Sequence, residues 1–292
     1  MTDFCHITPT RYLDMFATGR SFHLTLAHLV EQDPTYAEFY KNLGQWSWMC
    51  QGSTNIMDNS AFEMYKEGKP MYSTDKLIPM AQSCGADYVV MSDYPNELGV
   101  ATQEAAYDMA PELSKAKLGN FFVPQSKIGD LDDLIKGFEW AANVNDKQGN
   151  KMIDYVGVSI LAVPNAYGVE KDNKLQRFLS RWKFMQELDK YGILKSLKDK
   201  DIKIHFLGMV DGPNEIELVR DYLWAIDTWD SSAAVWAGLQ GKKFDNSPSG
   251  LIEGKIESTV DFSHSSATID EIGMAMYNCH YIDRLLREDN YD

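Results

Sequence analysis

The stretch that decides the fold is Ala225-Ile226-Asp227-Thr228-Trp229-Asp230-Ser231-Ser232. An apolar run, Tyr222–Ile226, leads into two aspartates three residues apart, and two serines follow. Barrel enzymes carry their catalytic carboxylates at the C-terminal ends of buried strands. Other strand-like runs in the chain also end in polar groups or tight turns: Asp58, Asp93, Gln125, Ser159 and Gly208-Met209. The series predicts side chains that converge on one pocket.

Strand-like and helix-like segments alternate outward from this stretch. The strand-like runs are Ser21–Leu29, Thr54–Asp58, Tyr88–Ser92, Asn120–Pro124, Tyr155–Ile160, Ile202–Leu207 and Tyr222–Asp227. The helix-like segments are Tyr36–Leu43, Asp75–Cys84, Gln103–Lys117, Leu131–Asn143, Lys174–Lys190 and Pro213–Arg220. Most of the strands are near-continuous apolar runs, not alternating ones, which is typical of parallel sheets covered on both faces. The alternation predicts an α/β protein, and the number of units favours a (β/α)8 TIM-type barrel over an open sheet.

The chain has 292 residues and 44% hydrophobic content, enough for one large core. We therefore expect a single domain over 1–292, with a barrel core at about 20–265 and a C-terminal helix at about 268–288. No apolar run reaches membrane-spanning length, and the N-terminus lacks a signal-peptide pattern. These features predict a cytoplasmic protein without membrane contact.

Metal and cofactor motifs are missing from the sequence. The cysteines Cys5, Cys50, Cys84 and Cys279 are scattered without metal-ligand spacing, which predicts free thiols in a reducing compartment. Glycine-rich nucleotide loops and the H-E-x-x-H pattern do not occur. We expect neither a bound metal nor a cofactor, and elemental analysis should find no stoichiometric zinc.

The charge of the chain is uneven. The net charge is −15, yet residues 171–203 hold ten Lys and Arg against five acidic residues, a net of +5 that leaves −20 elsewhere. One interpretation is a solvated helix face. The other is a strip that contacts nucleic-acid phosphates through Lys171, Lys174, Arg177 and Arg181.

Five segments, taken together and in order, resemble the tRNA-guanine transglycosylases across about residues 20–240. They are Met57-Asp58-Asn59-Ser60-Ala61-Phe62-Glu63, Val89-Val90-Met91-Ser92-Asp93, Phe122-Val123-Pro124-Gln125, Ile204-His205-Phe206-Leu207-Gly208-Met209 and Asp227-Thr228-Trp229-Asp230-Ser231-Ser232. The zinc cluster and the basic P-T-R motif of that family are missing, and Ser60-Ala61 stands where the family has Gly-Gly. The chain is therefore more similar to the relatives that insert 7-deazaguanine bases into bacteriophage DNA.

The resemblance implies a role for each matched residue. Asp230 matches the covalent nucleophile and Asp58 the acid–base residue, and such a pair suits cleavage of an N-glycosidic bond. Asp93 and Gln125 match residues that read the guanine edge, while Phe62 and Leu207 match positions that sandwich the base. Asn59, Gly157 and Gly208 complete the predicted substrate-binding set. The implied reaction replaces guanine in nucleic acid, DNA in preference to tRNA, with a 7-deazaguanine in the cytoplasm, or in the host cytoplasm for a phage protein.

Each assignment has a structural alternative. Asp58 and Asp230 could be helix caps or turn residues, Asp93 a turn former and Gln125 a plain loop amide. Phe62, Leu207 and His205 could be core residues, and tight packing explains glycines as well as ligand approach does. At the level of function, a catalytically silent barrel subunit or binding module and a barrel hydrolase or lyase for a small sugar or nucleoside both stay open. The oligomeric state stays open as well, a homodimer included.

Overall fold

Eight parallel strands form a nearly closed barrel in the computed structural model, which describes residues 2–43, 52–210, 212–244 and 260–287. Hydrogen-bonded neighbours follow the order β1-β8-β7-β6-β5-β4-β3-β2. The strands are β1 Asp3–His6, β2 Phe22–Leu26, β3 Thr54–Asp58, β4 Tyr88–Val90, β5 Gly119–Phe122, β6 Tyr155–Ser159, β7 Lys203–Leu207 and β8 Ile226–Ser231. Helices alternate with these strands, so the predicted (β/α)8 barrel is confirmed.

The barrel closes between β1 and β2 without a regular ladder among the described residues. The backbone N–H of Leu24 donates to Cys5 Sγ at 3.2 Å, and Ser21 Oγ donates to Asp3 Oδ1 at 3.0 Å. The predicted start of the barrel core at about residue 20 was wrong, because β1 begins at Asp3. A strand of four residues is too short to show a hydrophobic period.

The described α-helices are Leu13–Phe16, Ala27–Gln32, Pro34–Leu43, Ala61–Glu67, Thr74–Ser83, Gly99–Lys115, Leu131–Asn143, Ala162–Ala166, Lys174–Lys190, Ile193–Asp199, Pro213–Leu218, Ala233–Leu239 and Ile269–Leu285. The prediction was best for Leu131–Asn143 and Lys174–Lys190, which begin after side-chain caps at Asp130 and Asn173. The predicted β2 extended to Leu29, whereas the strand ends at Leu26 because a helix begins at Ala27. None of the described helices has the length and apolar character needed to span a membrane.

Strand β8 begins four residues later than predicted and extends through Ser231. Tyr222 belongs instead to a 3-10 turn. The register of β8 against β7 shifts between Ile204 and His205, and Asp227 is the extra residue. The Asp227 carboxylate accepts the Ile204 N–H at 2.8 Å and a hydrogen bond from Lys198 at 2.7 Å. Asp227 therefore has a structural role near the N-terminal end of β8, three residues before Asp230.

The barrel interior below the C-terminal strand ends is filled by aromatic rings. The His205 ring lies 5.6 Å from that of Phe22 and 5.4 Å from that of Phe121, centroid to centroid. Phe121 in turn stacks on Tyr155 at 5.6 Å. The interior is a packed core and not a pore, so a binding site of the kind that barrel enzymes carry is expected at the C-terminal rim.

The C-terminal helix Ile269–Leu285 closes the outer layer. It begins at a capping box in which Thr268 and Glu271 bond each other's backbone. A side chain at Gly238 would meet the Ala275 backbone at 2.2 Å, so two helices cross here at a distance that only glycine allows. Asp283 near the helix end accepts from Arg20 at 2.6 Å, which ties the helix to the N-terminal end of the barrel.

Candidate active site

Asp230 lies near the C-terminal end of β8 with 5% of its surface exposed. Its Oδ1 is within 2.9 Å of His205 Nε2 and accepts the Gly208 N–H at 3.2 Å. No hydrogen bond from the part of the chain that the structure describes reaches Oδ2. The helix-cap alternative does not hold, because it is Ser231 Oγ that accepts the N–H of Ala233 at the next helix start. One oxygen of this carboxylate is therefore held by two hydrogen bonds, and no hydrogen bond from the described residues holds the other.

Asp58 ends β3 and accepts the Ser60 N–H at 2.6 Å. Ser60 adopts a left-handed conformation, with φ at 57°. Asp58 is therefore a turn residue, as the structural alternative predicted, and the same hydrogen bond fixes the direction of its carboxyl group. Burial raises the pKa of Asp58 well above its usual value, the carboxylate of Glu63 raises it further, and Asp93 and Asp230 add to the effect. A carboxyl group in this environment keeps its proton to a higher pH than an exposed aspartate does, which suits a general acid.

Glu63 also lies at this rim, although the sequence analysis gave it no role. It lies in the first turn of the helix Ala61–Glu67. Burial raises its pKa, and the negative charges of Asp230 and Glu67 contribute. Its position five residues after Asp58 was the available signal, since a strand end and the following helix start meet at the rim.

Asp93 joins a buried array of two amides. Its Oδ1 accepts from Asn59 Nδ2 at 2.7 Å and its Oδ2 from Gln125 Nε2 at 2.5 Å. Asp93 and Gln125 are both 4% exposed, so neither the turn alternative nor the loop-amide alternative describes them. Burial raises the pKa of Asp93 to about 6, although both amide bonds act in the opposite direction. The array offers a carboxylate with unused lone pairs and a second Gln125 N–H, which suits a polar base edge.

The structure leaves no Asn59 N–H for the predicted contact with a base. Asn59 Nδ2 donates to Asp93 and also to the Met91 carbonyl at 2.7 Å, while Asn59 Oδ1 accepts the Ala61 N–H at 2.9 Å. Both amide hydrogens and one lone pair of the oxygen are bonded within the protein. Asn59 thus holds Asp93 in place.

The remaining predicted contacts divide into rim and core residues. Phe62 is 48% exposed, so the core alternative does not hold for it. Leu207 and Gly208 are half-buried at the end of β7. Gly157 is a correction, because it is buried and a side chain there would meet Leu207 and Phe121 at 2.9 Å. Packing within the barrel requires this glycine, and no space for a ligand adjoins it.

The predicted phosphate strip is only partly present at the surface. Lys171 and Lys174 are exposed before and at the start of the helix Lys174–Lys190. Arg177 is half-buried, and burial lowers its pKa. For Arg181 the prediction was wrong, because its side chain is fully buried and pairs with Glu215 at 2.7 Å. An arginine enclosed in this way cannot reach a phosphate.

The described residues contain no group of three or more His, Cys, Asp or Glu side chains that could hold a metal ion. Cys5, Cys84 and Cys279 are buried free thiols, while Cys50 lies outside the described residues. A cavity of about 580 Å³ opens at the opposite end of the barrel, where Arg20 and Asp283 are among the residues that line it. It contains none of the carboxylates at the rim, so we do not assign the chemistry to it.

Comparisons with known proteins identify no family for this chain, so the argument for its function rests on the geometry of the site. No protein-family model matches the chain, and no match to a curated protein was found. The rim itself combines one fixed carboxylate, one carboxyl group of raised pKa and a buried array for a polar edge. Nucleophilic attack, proton transfer and recognition of a planar ligand are the steps that such an arrangement can perform.

Proposed function

We propose that the chain is a base-exchange transglycosylase that replaces guanine in nucleic acid, DNA in preference to tRNA, with a 7-deazaguanine. The observation that carries the proposal is that Asp93, which bonds Gln125, and Asp230 both lie close enough to Asp58 for their charges to raise its pKa. Two carboxyl groups in different environments can divide the roles of nucleophile and acid. A barrel fold alone does not specify this chemistry, so the proposal depends on these side chains.

In the proposed reaction Asp230 Oδ2 attacks C1′ of the target nucleoside. The C1′–O bond to Asp230 forms as the bond to guanine breaks, and Asp58 donates its proton to the leaving base. A 7-deazaguanine then enters, Asp58 accepts its proton, and its nitrogen displaces Asp230 from C1′. Asp93 accepts hydrogen bonds from the base edge and Gln125 donates one. On duplex DNA the enzyme has to extrude the target nucleotide first. The reaction requires no cofactor, and we place it in the cytoplasm.

A second candidate is a hydrolase that cleaves a small nucleoside with the same carboxylates. The burial of Arg181 favours it, because of the four predicted phosphate contacts Lys171 and Lys174 alone are exposed. Water would replace the entering base in the second step. A catalytically silent subunit is the alternative that remains if neither reaction occurs.

Isotope-labelled guanine and a 7-deazaguanine distinguish these functions. The purified protein is incubated with each base and with duplex DNA, single-stranded DNA, tRNA or free guanosine, and the nucleosides are then analysed by mass. Exchange predicts incorporation of label into one of the polymers. Release of guanine from guanosine without incorporation would identify the hydrolase.

Base recognition gives the next prediction. Asp93→Ala and Gln125→Ala should each raise the KM for the base by about 10-fold or more, because a lost bond to a buried polar edge costs about 1–3 kcal/mol. Selectivity for guanine over adenine should fall as well. Asn120→Ala is the control, since that amide lies at the start of β5 and donates to the Met152 carbonyl. Unchanged selectivity in both variants would remove Asp93 and Gln125 from the pocket.

The pH dependence of base binding follows from the pKa of Asp93, which is about 6. Above that pH the carboxylate is ionised and accepts hydrogen bonds. Below it the group gains a proton and loses acceptor capacity, so the KM for the base should rise as the pH falls through about 6. The raised pKa of Asp58 should limit kcat on the alkaline side, where the acid loses its proton. A KM that is flat between pH 5 and 8 would contradict the role of Asp93.

Docking of a polymer gives a further prediction. Lys171→Glu with Lys174→Glu should weaken binding of DNA about equally for all sequences and lower the salt slope by about 2, because each phosphate contact releases counterions. The matched control is Lys183→Glu with Lys195→Glu, which makes the same charge change on exposed lysines further from the rim. If both double variants weakened DNA binding equally, only the net charge of the protein would matter. Lys171 and Lys174 would then make no specific phosphate contact, and the hydrolase candidate, which needs none, would be favoured.

A further inference from the structure

Arg181 is fully buried although the proposed reaction does not use it. Its NH1 donates to the Leu207 carbonyl at 3.0 Å and its NH2 to the Gly208 carbonyl at 2.8 Å. Glu215 balances the charge through bonds of 2.8 Å and 2.7 Å. The guanidinium group thus packs behind the end of β7, against the rings of Phe206 and Trp229.

The peptide group between Leu207 and Gly208 connects Arg181 to the nucleophile. Its carbonyl accepts from Arg181, and its N–H donates to Asp230 Oδ1 at 3.2 Å. In a trans peptide the C=O and N–H point in opposite directions. A cation on the carbonyl side polarises the group and strengthens the N–H as a donor. Gly208 adopts φ of 69° at this turn.

His205 supports the same oxygen from β7. Its Nδ1 is 2.7 Å from Thr228 Oγ1 and its Nε2 is 2.9 Å from Asp230 Oδ1. An ionised Asp230 can only accept, so Nε2 carries the hydrogen of this bond. The ring cannot turn freely, because Phe22 and Phe121 pack against it.

We propose that His205 and Arg181 are positioning residues that hold Asp230 Oδ1 from two sides and direct Oδ2 toward the substrate. Arg181 acts through the Leu207–Gly208 peptide and His205 acts directly. The inference rests on the proposed function only for the role of Asp230 as nucleophile. A misplacement of about 1 Å at a reacting atom can cost about 100-fold in rate, which sets the scale of the effect.

His205 is tested with one conservative and one apolar variant. His205→Leu should slow single-turnover formation of the covalent intermediate by about 100-fold, with the KM within about twofold. His205→Gln keeps a side-chain N–H donor and should restore most of the rate. His23→Leu is the matched control, because His23 is a buried strand histidine that packs on Tyr40. Equal rates in wild type and His205→Leu would overturn the role of His205.

Arg181 is tested in a variant that leaves no buried charge unpaired. Arg181→Met combined with Glu215→Gln should remain folded, because both members of the ion pair are replaced. Formation of the intermediate should slow by about 10-fold or more with little change in KM. A wild-type rate in the folded double variant would overturn the role of Arg181.

Nuclear magnetic resonance of the wild-type protein separates this inference from the proposed function. We expect a slowly exchanging proton on His205 Nε2 and a downfield Gly208 amide proton, both of which shift in Asp230→Asn. The Gly208 signal should also move upfield in the Arg181→Met/Glu215→Gln variant. If these signals occur in a protein without exchange activity, the positioning of Asp230 by His205 and Arg181 is supported and the transglycosylase function is refuted. Exchange activity with signals that ignore Asp230→Asn would refute the positioning alone.

Discussion

Asp230→Asn is expected to abolish base exchange, with a loss of kcat of at least about 10,000-fold. An amide cannot form the ester to C1′, so no glycosyl-enzyme intermediate accumulates. The fold should persist, because Asn keeps an oxygen that accepts from His205 and Gly208. The assay is incorporation of labelled guanine, together with a thermal unfolding curve for each variant.

Asp227→Asn is the control for this variant. It makes the same chemical change on the same strand, but at the lower end, where the carboxylate bonds Lys198 and Ile204. We expect turnover close to that of wild type. Wild-type turnover in Asp230→Asn would show that the covalent mechanism is wrong.

Arg181→Ala is expected to lower the free energy of unfolding by about 3–5 kcal/mol, and Glu215→Ala by a similar amount. Each change leaves one charge in a fully buried position without its partner. The double variant Arg181→Met/Glu215→Gln should lose much less, because no uncompensated charge remains. Urea unfolding at pH 7 measures all of these variants with one protocol.

The control for the buried pair is an exposed one. Lys195 and Asp199 form an ion pair with side chains that are 76% and 60% exposed. Asp199→Ala should change the free energy of unfolding by no more than about 0.5 kcal/mol. If Arg181→Ala were as mild, Arg181 would have to be solvated, and a phosphate contact at this position would be open again.

The fold was predictable because buried parallel strands leave a strong record in the sequence. Tyr88–Ser92 and Asn120–Pro124 have uninterrupted apolar centres, and the capped helix Lys174–Lys190 shows its start at Asn173. The strand Asp3–His6 was missed because four residues carry no period. The limits of β8 were misjudged because Tyr222 and Leu223 are apolar but precede the strand. Apolarity reports burial, and burial alone does not separate a strand from a turn.

The position of a site residue could be predicted only where the residue lies at the end of a strand, because the C-terminal strand ends of a barrel all point toward the same rim. Asp58, Asp93 and Asp230 follow or end strands, and the structure brings them into electrostatic contact. Arg181 was misassigned because a charged residue in a sequence suggests exposure. Its partner Glu215 lies 34 residues away, so the neighbouring sequence gives no sign of the buried ion pair. His205 was interpreted as a satisfied core histidine, which it is. Only the structure identifies Asp230 as the partner that satisfies it.

The most direct test of the central claim is the mass of the protein after it reacts with guanine-containing DNA in the absence of an entering base. The account predicts a denaturation-stable adduct on one peptide, with the bond at Asp230, and its disappearance when a 7-deazaguanine is added. An adduct on another residue would contradict the account. So would guanine release or exchange that proceeds, under single-turnover conditions, without any adduct at Asp230.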